Sequence, residues 1–103
     1  MKQIKLTTTP ITNSQAPDGF LLDYRKEFLR LIEIAAEGLT VSQMAVAIDL
    51  ARKLQNAPAV GALYLENTEW EYLRGKLTAA KWNFVAPEIV AMVEAVEKAQ
   101  TCE

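Results

Sequence analysis

The sequence predicts an α+β fold, mainly α, built from four helices and a short two-stranded β-sheet. Three observations carry that expectation. Apolar residues recur at three- and four-residue spacing in four separate stretches, which is the signature of amphipathic helices. Alternation of apolar and polar residues occurs only at the N-terminus and, weakly, near the middle of the chain. Finally, 50% of the 103 residues are hydrophobic and 23% are charged, the balance of a chain that buries one core.

Residues 2–9 set Ile4 and Leu6 on one side and Gln3, Lys5 and Thr7 on the other. With the β-branched run Thr7-Thr8-Thr9, this reads as a short strand, which Pro10 ends. Residues 11–19 carry Asn13, Ser14, Pro17, Asp18 and Gly19 and read as a loop, with a flexible N-terminal arm as the alternative. A first helix is expected over residues 23–37. Tyr24, Phe28, Leu31, Ile32 and Ala35 form its apolar stripe, Asp23 its N-cap, and Gly38 the left-handed residue that closes it.

Thr40-Val41-Ser42-Gln43 is a capping-box pattern that starts a second helix, expected to end at Asn56-Ala57-Pro58. Met44, Ile48, Ala51 and Leu54 are its expected inner stripe, and Ala45 and Ala47 would let a neighbouring helix come close. Residues 60–65 alternate weakly and read as a second strand. Its expected partner is the N-terminal strand, because an isolated strand leaves backbone polar groups unpaired. Thr68-Glu69-Trp70-Glu71 reads as another capping box, followed by a third helix with Trp70, Leu73 and Leu77 inward. Gly75 within that helix costs about 1 kcal/mol against alanine. Pro87-Glu88 starts a fourth helix, over residues 87–99. Its stripe of Ile89, Met92, Val93 and Val96 is broadened by Val90, Ala91 and Ala95, which suits a core helix or half of an interface. The whole is expected to be one domain over 1–103: a strand plus loop or arm over 1–20, and a helical body over 21–99.

Composition narrows the chemistry. There is no histidine, so the commonest general base and the commonest transition-metal ligand are both missing. Cys102 is the only cysteine, which rules out an intramolecular disulfide and a CxxC site; it reads as a thiol on a frayed tail. A net charge of −2 offers no general attraction to nucleic acid or to an anionic membrane. The N-terminus lacks the apolar run of a secretory signal, and the apolar stretch over 89–96 is too short to span a bilayer. A reducing cytoplasm is the expected location.

Candidate sites are few. The pairs Glu69 with Glu71 and Glu94 with Glu97 fall at a helix start or on a polar face, where solvation explains them. Ser42 and Thr68 are accounted for as helix caps, with no base nearby to activate either. No glycine-rich phosphate loop is present. Neither catalytic residues nor a cofactor or metal site are expected. Gly38-Leu39-Thr40 with the helix after it looks like the start of a bacterial helix-turn-helix. However, the residues 48–53 stay in helical phase where a turn should come, and only Arg52, Lys53 and Gln55 are offered to DNA. Trp70, Tyr72, Trp82 and Phe84 lie close together in the chain. Trp70 and Phe84 read as core; Tyr72 and Trp82, if exposed, are the better contacts for a partner. The partner-binding candidates are therefore Trp70, Tyr72, Trp82, Met92 and Val96.

From Leu22-Asp23-Tyr24-Arg25 onward the chain resembles a loose group of small bacteriophage and prophage proteins of uncharacterised function. The shared features are that Asp-Tyr-Arg start, the Leu39-Thr40 to Met44 stretch, and Glu69-Trp70-Glu71-Tyr72-Leu73 through Trp82-Asn83-Phe84-Val85-Ala86-Pro87-Glu88-Ile89-Val90 to Val93-Glu94-Ala95-Val96. The resemblance spans about residues 22–97 and rests on hydrophobic and aromatic spacing, not on a chemical motif. It implies a phage-encoded protein that acts by binding, in virion assembly or on a host factor. The expected partner is a protein, with a second copy of the chain as one candidate through the last helix and the Trp70–Phe84 region; nucleic acid and membrane are not expected. The alternative is a small helix-turn-helix regulator using residues 40–55.

Overall fold

The structure, a computed structural model, describes residues 1–11, 21–33, 38–82 and 86–101. The expectations for the 11–19 loop beyond Ile11, for Ala35, for Phe84 and for Cys102 fall outside these residues.

The fold is α+β and mainly α, with four helices and two small antiparallel sheets among the described residues. β1 (Lys2–Leu6) is the centre of the larger sheet, between β4 (Gly61–Leu65) and β5 (Gln100–Thr101). The expected pairing of the N-terminus with the middle of the chain is present, with Ile4 opposite Leu63 and Lys2 opposite Leu65. Ile4, Leu6, Leu63 and Leu65 all turn into the core, while Lys5, Ala62 and Tyr64 face out. One buried face and one wet face is what the alternation specifies. Gly61 enters β4 at φ +147°, and a Cβ there would lie 3.0 Å from Pro58 Cγ. The backbone conformation and the proline together call for glycine at that corner.

Three strands go beyond the two expected. The N-terminal segment breaks at Thr7, and β2 (Thr8–Pro10) pairs with β3 (Leu21–Asp23) in a separate sheet. Pro10, opposite Leu21, ends β2, as a residue with no N–H to donate must. β5 follows the last helix and adds two residues to the free edge of β1. No periodicity can emerge from segments of two or three residues, so all three escape a reading of the sequence as separate strands.

α1 (Tyr24–Ile32) begins at Asp23, whose carboxylate accepts from Lys26 N at 3.3 Å. Tyr24, Phe28, Leu31 and Ile32 are buried, as the stripe predicts. α1 ends at Ile32 with Glu33 at its C-cap, short of the residue 37 expected, so Gly38, although left-handed at φ +81°, is not the residue that closes it. α2 (Val41–Asn56) carries both bonds of its capping box: Gln43 N donates to Thr40 Oγ1 at 3.2 Å, and Thr40 N to Gln43 Oε1 at 3.0 Å. α3 (Asn67–Ala79) starts earlier than the Thr68 cap expected. Glu66 N donates to Glu69 Oε1 at 2.9 Å, which makes Glu66 the capping position and places Thr68 in the first turn. α4 (Pro87–Glu97) buries Ile89, Met92 and Val96 against the sheet and α3 and leaves Val93 half-buried.

The main departure concerns α2. Leu54 is buried and Ala51 half-buried as expected, but Met44 is 48% and Ile48 47% exposed. The inner face is instead formed by Leu50 and Leu54. The helix is apolar on two opposite sides, so its 3.6-residue period cannot say which side is in. Contacts outside the helix fix the rotation. Lys53 reaches buried Glu69 on α3, and Arg25 on α1 grips the carbonyls at the end of α2.

Candidate protein-binding surface

Three side chains clamp one helix to the end of another. Arg25 Nε donates to Leu54 O at 2.8 Å, and its second nitrogen reaches Gln55 O at 3.4 Å. These carbonyls belong to the last turn of α2, where Leu54 O also accepts from Ala57 N at 3.2 Å and where a cation suits the helix dipole. Trp70 Nε1 donates to Val96 O at 2.7 Å, tying α3 to the end of α4. The Tyr72 hydroxyl donates to Ile32 O at 3.4 Å, tying α3 to the end of α1.

Trp70 and Tyr72, expected as partner contacts, are thus both half-buried and engaged within the chain. Lys2 Nζ lies 4.6 Å from the Trp70 ring centroid and the Arg74 guanidinium 4.8 Å. Lys76 stands over the Tyr72 ring at 5.6 Å. Burial raises the Tyr72 hydroxyl above its ordinary pKa of 10.0, and that of Tyr24 likewise.

Of the remaining candidates, Met92 and Val96 are wholly buried in this chain's own core, so neither offers surface to a partner in this fold. Their spacing marked the inner stripe of α4, and the core uses it. Trp82 is half-buried beneath Arg30, 5.5 Å from its ring centroid, and walls an open groove of about 440 Å³ between α3 and α4. Val90 and Val93 line the same groove, and Glu94 and Glu97 edge it.

The feature missed in the sequence is the outer face of α2. Val41, Met44 and Ile48 are 84%, 48% and 47% exposed on successive turns, and Ala45 between them is exposed too. Beside this stripe, Ser42, Gln43, Val46, Thr68, Glu71 and Tyr72 line a shallow depression of about 350 Å³ between the starts of α2 and α3. A signal was present in the sequence: Leu50 lies opposite Ile48 on the helix and is just as apolar, so one of the two had to face out.

Glu69, read from the sequence as a solvated helix-start acid, is buried. Its Oε1 accepts from Lys53 Nζ at 2.5 Å and from Glu66 N at 2.9 Å. Among the described residues, no cluster of three or more Asp, Glu or Cys side chains could hold a metal ion. Among these residues no helix is long and apolar enough to cross a membrane. α2 is continuous from Val41 to Asn56 and has no turn near Asp49, which a helix-turn-helix would need.

No protein-family model, curated protein or solved structure matches this chain.

Proposed function

We propose that this protein works by protein–protein binding, without chemistry of its own, through the outer face of α2. The observation that carries this reading is the run of Val41, Met44 and Ile48, three large apolar side chains exposed on successive turns of one helix. Isolated exposed apolar residues need no explanation, but a contiguous stripe on a small domain is the ordinary mark of a contact surface. The groove beside Trp82 supports the same reading from a second side of the molecule. The phage resemblance extends it to a role in virion assembly or on a host factor, in the bacterial cytoplasm. The helix-turn-helix alternative is not favoured: α2 is unbroken, and Lys53, one of its few cations, is spent on Glu69.

The test is capture from lysates of uninfected and phage-infected bacteria, using the tagged chain and a Met44→Lys/Ile48→Lys variant. The reading expects a defined protein that the wild type retains and the variant loses. Equal capture by both, or recovery of DNA with no protein, would contradict it.

A further inference from the structure

We infer that the partner fitting the α2 stripe is a second copy of this chain, docked α2 against α2 in antiparallel orientation across a two-fold axis. The inference rests on the protein-binding reading above and names the occupant of that surface. The charge pattern of α2 singles out a second copy. Residues 41–48 carry no charge, so the stripe can meet itself with no like charges opposed. A partner steered by charge would call instead for a rim of one sign. Here the charges flanking the stripe are one acid and one base, Asp49 and Arg52, which face each other at 4.0 Å.

The start and the middle of α2 are also complementary to each other. Its first turn holds no acid to oppose the positive end of the helix dipole. Asp49 lies seven residues after Ser42, two turns along the same edge of the exposed face. An antiparallel two-fold pair centred near Ala45 brings each Asp49 beside the partner's Ser42, at the end that lacks an acid, and does so twice. Ala45, the small residue of the stripe, sits near the axis, where the two backbones come closest. Ile48 and Met44 flank it and fill the seam from both sides.

The test is the mass of the full chain by sedimentation equilibrium, together with directed crosslinking. A dimer is expected at tens of micromolar, and Ile48→Asp should weaken it at least tenfold while circular dichroism stays that of the folded chain. In a Cys102→Ser background, Ala45→Cys should form a disulfide-linked dimer on mild oxidation. Gln55→Cys should not, because the two copies of position 55 lie about 28 Å apart in this arrangement. A monomer at several hundred micromolar, a dimer indifferent to Ile48→Asp, or crosslinking through position 55 in place of 45 would each overturn the inference. A monomer that still captures a protein through the stripe would remove the second copy and leave the protein-binding reading intact.

Discussion

Lys53 Nζ lies 2.5 Å from Glu69 Oε1, and the two ends of that contact are unequally buried: the lysine side chain is 37% exposed, the glutamate 6%. The same oxygen also accepts from Glu66 N. One carboxylate thereby starts α3 and fixes the rotation of α2. The cost of breaking the pair depends on which partner is removed. Lys53→Met leaves a buried carboxylate with one backbone donor and should destabilise the fold by about 2–3 kcal/mol. Glu69→Gln keeps an acceptor for Glu66 N and leaves a lysine that can reach water, so about 1 kcal/mol is expected. Urea unfolding of both variants checks the order, and equal losses would contradict it.

The clamp from Trp70 to Val96 is a hydrogen bond with a measurable share of stability. Trp70→Phe keeps most of the ring and removes the indole N–H, which should cost about 1–2 kcal/mol, since Val96 O then keeps only backbone donors, Ala99 N among them. Thermal unfolding followed by circular dichroism reads this directly.

Arg25 is expected to resist conservative replacement. Lysine preserves the charge but lacks the planar fork that reaches Leu54 O and Gln55 O together. Arg25→Lys should therefore lose much of the roughly 1–2 kcal/mol that Arg25→Met loses. Amide exchange at the end of α2 should quicken in both variants. Exchange there at the wild-type rate would show that the clamp is dispensable.

The buried phenols give the protein an alkaline limit. Tyr24 and Tyr72 have folded pKa values raised by burial above 10.0, so the unfolded chain releases these protons first. Their contribution is fully present below about pH 10 and is lost as pH rises through the folded values. Urea midpoints measured between about pH 9 and pH 11.5 should fall more steeply for the wild type than for Tyr24→Phe/Tyr72→Phe. Parallel curves would show that other groups, lysines among them, control the alkaline loss.

The readability of the sequence followed the physics of each element. α1 and the β1–β4 pair were legible because each has one apolar side, and Asp23 and Pro87 mark the starts of α1 and α4. The capping box of Thr40 was legible because both of its bonds are local. The phase of α2 was not, because a helix apolar on two sides is oriented by Arg25 and Glu69, far away in the chain. The same ambiguity hid the candidate surface. Met44 and Ile48 read from the sequence as core, whereas Met92 and Val96 read both as the inner stripe of α4 and as partner contacts, and only the core reading of the latter pair holds. Trp70 and Tyr72 read as contact residues because their bonding partners, Val96 O and Ile32 O, are backbone atoms that no side-chain pattern reveals.

The direction α2 faces decides where the candidate binding surface lies, and a pair of substitutions tests it. Urea unfolding of Ile48→Asp and Leu50→Ala should be compared at low micromolar concentration, where self-association adds little. With Ile48 outside, the aspartate should cost less than about 1 kcal/mol, the range of surface substitutions. With Leu50 fully buried, its truncation should cost about 2–5 kcal/mol. If Ile48→Asp unfolds the protein while Leu50→Ala is tolerated, the helix faces the other way and the proposed binding surface belongs to the core.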